Sequence, residues 1–322
     1  MSNQNAVEKM GNAYQSIKQE LNKIIVGQDE VVENILICLF SEGHILIEGV
    51  PGLGKTLIVS ALSRILDADF KRIQFTPDLM PSDITGTTIF DSDEKKFIIK
   101  KGPVFTNLLL ADEINRSPAK TQSALLQAMQ EKSVSIDGTD YDIEGFFICL
   151  ATQNPIEMEG TYPLPEAQID RFLMKSVITY PSAEQEIQIL RNYRGGFSPA
   201  DLSVSGIKPV LKKEEVTEVK NAASTIVVDD GILRYIANIV NSTRDFPGIA
   251  VGSSPRGSIA LFQTSRIKAV FEGRDYVIPD DIKGLCHPVL RHRLILEAEA
   301  EIEGFTSDDY IEKILNETEI PR

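Results

Sequence analysis

Cysteine is scarce. Cys38, Cys149 and Cys286 are the only three, each in an apolar or helical run and none in Cys-x-x-Cys spacing. That pattern argues against a disulfide framework or a zinc site, and the three thiols read as small core residues of a cytosolic protein. Positive charge is also in short supply, with 33 Lys and Arg against 47 Asp and Glu and a formal net charge of -14. DNA, RNA and anionic membrane repel such a molecule as a whole, leaving only a local basic patch for contacts of that kind. No apolar run approaches the length of a membrane span, and Met1 to Asn12 is polar without signal-peptide or transit-peptide character, so the expected location is cytoplasmic. Repeats and low-complexity tracts are missing too. What remains is an ordinary globular composition over 322 residues, 42% hydrophobic and 25% charged, sufficient for one large or two medium domains.

The most informative stretch runs from Ile45 to Thr56. Its apolar start reads as a buried strand, and Leu57, Ile58, Ala61, Leu62 and Ile65 behind it have helical spacing, so Gly49, Gly52 and Gly54 fall on a strand-to-helix turn. Gly-x-x-x-x-Gly-Lys-Thr in that context is a phosphate loop. Backbone amides converge on phosphate oxygens at the positive end of the helix, Lys55 reaches the β- and γ-phosphates, and Thr56 offers its hydroxyl to Mg²⁺. The alternative is an ordinary glycine-rich turn.

Upstream, Tyr14 to Ile25 has apolar residues at helical spacing and is broken at Val26-Gly27, a turn that either sandwiches a purine or merely joins two helices. Gln28 or Asp29 caps the next helix, Glu30 to Phe40. Downstream, Lys71 to Thr76 alternates as a strand. Pro77 to Lys101 is long for a connection, and is either a working insertion with its own hairpin or a tolerated surface loop. Thr106 to Glu113 is a second buried strand ending in two acids. At the C-terminal edge of a parallel sheet Asp112 would hold Mg²⁺, and Glu113 would orient or deprotonate water. Ser117-Pro118 starts a helix by the cap-then-proline rule. Ser133 to Ile143 is a hairpin about Asp137-Gly138. Phe146 to Pro155 is a third buried strand whose tip, Asn154, is either a phosphate or water contact or a plain turn residue. Met174 to Tyr180 is the last strand, and beyond Pro181 the pattern turns helical. In that part, Ser254-Pro255-Arg256 puts a cation in the first turn of a helix, where it needs an anion: a phosphate, or a nearby carboxylate. Cys286, His287 and His292 form no closed ligand set and read as packing residues.

Gly49 to Thr56, Leu108 to Glu113, Asn154, Asp170-Arg171-Phe172 and Ser254-Pro255-Arg256 together resemble the AAA+ ATPases over nearly the whole chain. Within them the chain resembles the MoxR family. Ile25 to Gln28, Gly49 to Thr56, Ala111 to Arg116, Ala151 to Pro155, Glu166 to Phe172 and Val289 to Arg293 match its blocks in order, with no departure at a catalytic position. The resemblance implies an α/β fold, a P-loop AAA+ three-layer αβα domain with a parallel five-stranded sheet of order 5-1-4-3-2, plus a C-terminal all-helical lid domain. The division it implies is 1–181 for nucleotide binding and 182–322 for the lid, with 77–101 as a helix-2 insert and 133–143 as a pre-sensor hairpin, both at the pore or rim of a ring.

It further implies ATP and Mg²⁺ as cofactors, bound by Val26, Gly27, Val50, Pro51, Gly52, Leu53, Gly54, Lys55, Thr56 and Leu57, with Thr56 and Asp112 on the metal. Asn154 is implied as sensor 1, Arg256 as sensor 2 and Arg171 as the arginine finger offered to a neighbouring subunit of a ring, usually a hexamer. Whether Arg116 or Arg171 dominates in trans stays open. The implied work is chaperone-like remodelling of a client protein, with von Willebrand factor A domain proteins as frequent partners. A nucleic-acid motor is the different-class alternative, and Asp137, Asp140 and Asp142, without a Lys or Arg in that hairpin, count against it. A chelatase-type motor subunit is a third reading. Glu113 and Arg171 disfavour a scaffold without turnover.

Overall fold

The computed structural model describes residues 3–50, 52–155, 162–199, 201–202 and 206–321. In chain order these form α1 (Asn3–Leu21), α2 (Asp29–Phe40), β1 (Ile45–Glu48), α3 (Lys55–Ile65), β2 (Phe70–Gln74), α4 (Pro81–Thr85), β3 (Gly86–Asp91), β4 (Lys96–Lys101) and β5 (Leu108–Asp112). There follow α5 (Ala119–Glu131), β6 (Ser133–Ile136), β7 (Thr139–Asp142), β8 (Ile148–Gln153), α6 (Glu166–Ile169), β9 (Met174–Val177) and α7 (Ala183–Arg194). The remainder is α8 (Lys213–Ala223), α9 (Asp230–Asp245), β10 (Ile249–Val251), α10 (Pro255–Phe271), α11 (Pro279–Leu290), β11 (Ile295–Leu296), α12 (Ala298–Ile302) and α13 (Ser307–Glu317).

β1, β2, β5, β8 and β9 make one parallel sheet in the order β2-β5-β8-β1-β9. Numbered among themselves and read from the β9 edge, these strands run 5-1-4-3-2, the order implied above. The three central strands are apolar on both sides because both faces of a parallel sheet are covered. Strand periodicity sorts them. Ile45, Ile47, Leu108, Leu110, Ile148 and Leu150 join one buried cluster with α1, α2 and α3, and Leu46, Leu109, Ala111, Cys149 and Ala151 join another with α5. β2 is an edge strand, and its polar residues Lys71, Arg72 and Gln74 are exposed. β3–β4 and β6–β7 are separate antiparallel hairpins in the insert and hairpin stretches.

The helical part has local causes. Asp229 caps α9 by accepting the Gly231 amide at 2.7 Å, and Ile232, Tyr235, Ile236, Ile239, Val240 and Thr243 form its buried stripe. One short antiparallel pair, β10–β11, lies among these helices. The apolar cluster on the α1–α3 side of the sheet continues into α8–α11, so both parts share one core. Tyr14 of α1 stacks on Phe271 of α10 at 3.8 Å between ring centroids, and Lys268 of α10 pairs with Glu33 of α2 at 2.5 Å.

Several local expectations are corrected. The first helix ends at Leu21, and Ile24 and Ile25 are buried in the turn that follows. Gln28 holds the N-cap of α2 in the left-handed region, with neither it nor Asp29 making a side-chain cap. Pro118, not Ser117, precedes the first turn of α5, and the Ser117 hydroxyl is buried with no partner among the described residues.

His44 fixes the start of β1. Its Nδ1 accepts the Cys149 amide at 3.0 Å and its Nε2 donates to the Met129 carbonyl at 2.9 Å, an arrangement only the neutral ring satisfies. Burial pushes its pKa down to about 4. The unfolded chain takes up this proton near pH 6.5 and the folded chain near 4, so the stabilisation is complete above the higher value and is lost as pH falls towards the lower. We expect His44 to contribute a loss of about 2 kcal/mol in urea-unfolding stability between pH 7 and pH 5, with the ring still neutral by NMR at pH 5. A ring titrating near its ordinary value would contradict this.

Candidate active site

Three strand ends and one helix start meet in a cavity of about 510 Å³, lined by Lys55, Thr56, Asp112, Glu113, Thr152 and Asn154 among others. The sheet places them there: β1 runs into the turn before α3, β5 ends at Asp112, and β8 ends just before Asn154. Gly54 is the N-cap of α3 at φ 79°, and Gly52 lies at φ 87°, backbone that other residues adopt at a cost. Among the described residues nothing beyond the chain neighbours stands within 4 Å of where a Cβ would be at either, so the cradle is open to an anion. The first amides of α3, beyond reach of any helix carbonyl, face that space.

In this state each charged group of the site is answered from within the chain. Lys55 Nζ donates to the Gly49 carbonyl at 2.5 Å. Burial lowers its pKa, and the nearby charges of Asp112, Glu113 and Glu48 oppose the shift. Thr152, buried on β8, accepts the Glu113 amide at 2.8 Å and donates to Asp112 Oδ1 at 2.6 Å. Asp112 Oδ2 accepts Arg72 Nη2 at 2.6 Å and Arg72 Nε at 3.2 Å. Glu113 stands in the left-handed region at φ 56°, a conformation costing on the order of 1–3 kcal/mol that clusters at functional sites. It turns its carboxylate to Gln74 Nε2 at 3.1 Å and Arg116 Nη1 at 2.9 Å. Asn115 of the same stretch donates to the Asn154 carbonyl at 3.3 Å.

Of the residues expected to bind nucleotide, Val26, Gly52, Leu53, Gly54, Lys55, Thr56 and Leu57 line the cavity; Gly27 and Val50 flank it, and Pro51 lies outside the described residues. Gly27 is nevertheless constrained: at φ 72° a Cβ on it would meet Gln185 Nε2 at 2.8 Å, so glycine lets α7 close over the turn. Arg171 and Arg256 are not in the cavity wall. Arg256 pairs with Asp170 at 3.4 Å, the carboxylate alternative to a phosphate. Arg171 has no side-chain hydrogen bond or ion pair among the described residues. Arg116, the other arginine considered for a neighbour's site, is engaged with Glu113 of its own chain.

Sequence reasoning assigned no role to Arg72, Gln74 and Thr152, whose involvement depends on sheet neighbours about 40 residues away. It also missed the apolar part of the wall made by Ile189, Tyr193 and Phe197, although the apolar positions along α7, none of them buried, signal a helix with a free face. The hard oxygen donors of Thr56 and Asp112 in one cavity fit Mg²⁺, and the Arg72 guanidinium on Asp112 shows that the position takes a cation. Tyr193 and Phe197, with Ile24, Ile25 and Val26 in the same wall, suit a planar base.

Residues 44–174 match the family model described as the ATPase family associated with various cellular activities (AAA), and residues 241–314 match the AAA lid domain. The chain is 44% identical to Chaperone MoxR1 of Mycobacterium tuberculosis, over 94% of this chain and 81% of that protein. It is also 44% identical to YeaC of Bacillus subtilis, over 94% of this chain and 93% of that one. A crystal structure of a Cytophaga hutchinsonii protein proposed to be an ATPase superposes with a TM-score of 0.91 at 43% identity, covering 99% of this chain and 98% of that chain.

Thr152→Val keeps the shape but strands the Glu113 amide and frees Asp112. We expect it to lower unfolding free energy by about 1–3 kcal/mol in urea titrations. An unchanged midpoint would show that the hydroxyl bridge carries no weight.

Proposed function

Because this chain belongs to the MoxR family of AAA+ ATPases, we propose that it hydrolyses ATP at the subunit interfaces of a ring, a hexamer by expectation, and uses the cycle for chaperone-like remodelling or maturation of client proteins. One observation carries this reading. Lys55, Thr56, Asp112, Glu113 and Asn154 meet in a single cavity, while Arg171 stands outside its wall and is unpaired among the described residues. An arginine left over in its own subunit is what a neighbour's site requires.

In this proposal Val26 and Gly27 contact the adenine, and the loop from Val50 through Leu57, Pro51 included, cradles the phosphates. Lys55 exchanges the Gly49 carbonyl for the β- and γ-phosphates. Thr56 and Asp112 would hold Mg²⁺, which would supply neutralisation of the charge that develops on the transferred phosphoryl group. Glu113 orients or deprotonates the attacking water, Asn154 fixes the γ-phosphate or that water, and Arg256 senses the nucleotide. Arg171 reaches the neighbouring subunit's ATP. The working units are 1–181 for nucleotide binding and 182–322 for the lid, operating in the cytoplasm; no helix among the described residues is long and apolar enough to cross a membrane.

A protein client, with a von Willebrand factor A domain protein as a candidate partner, is favoured over nucleic acid by what the β3–β4 hairpin exposes. Phe90 and Phe97, 55% and 74% exposed, pack edge-to-face at 5.3 Å between centroids. At the tip Asp91, Asp93 and Glu94 offset Lys95 and Lys96, with Lys100 and Lys101 left at the base, so the far end of the hairpin offers apolar surface more than net charge.

Arg171→Ala should retain ATP affinity within about twofold while turnover falls by roughly 10³, read by calorimetry and phosphate release; parental turnover would refute the trans role. Glu113→Gln should bind ATP without hydrolysing it and hold its partners long enough for affinity purification. Ordinary hydrolysis by that variant would leave Glu113 a purely structural acid.

A further inference from the structure

Arg171 has no side-chain partner among the described residues, yet the backbone on both sides of it is gripped by the helical part. Arg293, in the turn between α11 and β11, has a guanidinium with only 3% of its side chain exposed. Its Nη1 donates to Asp170 Oδ1 and, at 3.3 Å, to the Asp170 carbonyl. Its Nη2 donates to the Phe172 carbonyl at 2.8 Å and the Leu173 carbonyl at 3.4 Å, and its Nε to the Val289 carbonyl at 2.8 Å. His292 Nε2 donates to the Phe172 carbonyl at 3.0 Å. The Phe172 ring is fully buried, so the segment has little freedom beyond what these contacts allow.

The two oxygens of Asp170 are treated differently. Oδ1 belongs to buried Arg293, whereas Oδ2 receives Ser254 Oγ at 3.4 Å and Arg256 Nη1 at 3.4 Å, the latter from a half-exposed side chain. A long, solvated ion pair contributes little, whereas parting a buried, multiply bonded one strands a charge away from water. Arg256 is therefore the arm that a more highly charged anion can draw away, and Arg293 the arm that stays.

We propose that Asp170 and Arg293 form a clamp by which the helical part sets the place where Arg171 is presented to the neighbouring subunit, with Arg256 as its releasable arm. The proposal rests on the trans role of Arg171 given above. ATP bound in one subunit, by taking Arg256 from Asp170, would act on the site of the next subunit. Arg293 is a positioning residue, and touches no substrate.

The test uses Arg293→Gln in the full-length protein. A displaced Arg171 should lower kcat roughly 10- to 100-fold while affinity for a fluorescent ATP analogue stays within about twofold. Mixing with Glu113→Gln subunits, which carry an intact Arg171 and a dead pocket, should restore turnover to the variant's intact pockets. Arg171→Ala mixed in the same way is the reference. The clamp is overturned if kcat stays near parental, if nucleotide affinity falls as far as kcat, or if mixing rescues Arg171→Ala but not Arg293→Gln. If mixing rescues neither, the trans role itself fails and the clamp falls with it. Asp170→Asn keeps the shape and removes the charge, and should show the same split and the same rescue. Where Arg293→Gln does not fold, Asp170→Asn decides by the same criteria.

Discussion

Two carboxylates at consecutive positions repel one another and compete for the same donors unless something separates them. Here that is a single hydroxyl on the adjacent strand. Thr152 accepts the Glu113 amide and donates to Asp112, which is possible only because β5 and β8 pair in parallel with Ala111 beside Ala151. The left-handed turn at Glu113 then sends its side chain to Gln74 and Arg116 while Asp112 faces Arg72. Sheet order, register and one backbone conformation thus decide where each of the two acids points.

The same logic extends around the site. Lys55 rests on a carbonyl, Asp112 on an arginine and a threonine, Glu113 on a glutamine and an arginine, and Arg256 on Asp170. Nucleotide would enter by exchanging partners, so no bare charge has to be desolvated first. Arg171 stands apart from this internal pairing, and the segment that carries it is fastened to the helical part.

Much of this could be read from the chain because its causes are local. Three apolar runs that each end in polar residues announce buried parallel strands, and the glycines ahead of Lys55 announce the open left-handed turn into α3. The cation in the first turn of α10 needed an anion, and Asp170 is the one it finds in this state. What could not be read depends on pairing across the sheet or between its two flanks. Arg72 and Gln74 look like ordinary edge-strand polarity until β2 is set beside β5, and Tyr193 and Phe197 look like a loosely amphipathic helix end until α7 closes over Gly27. Ser117 shows the limit of a rule of thumb: a serine before proline satisfies the capping pattern, yet its hydroxyl points inward because the helix starts one residue later.

The shared core has a practical consequence for dissecting the protein. Tyr14, Phe40 and the rest of the α1–α2 face cover apolar surface of α8 and α10, so part of the interior of the segment after Pro181 is closed from outside that segment. Expressed alone, it would present that surface to solvent and self-associate, and a fragment meant to behave as a free-standing lid would have to carry the first two helices with it.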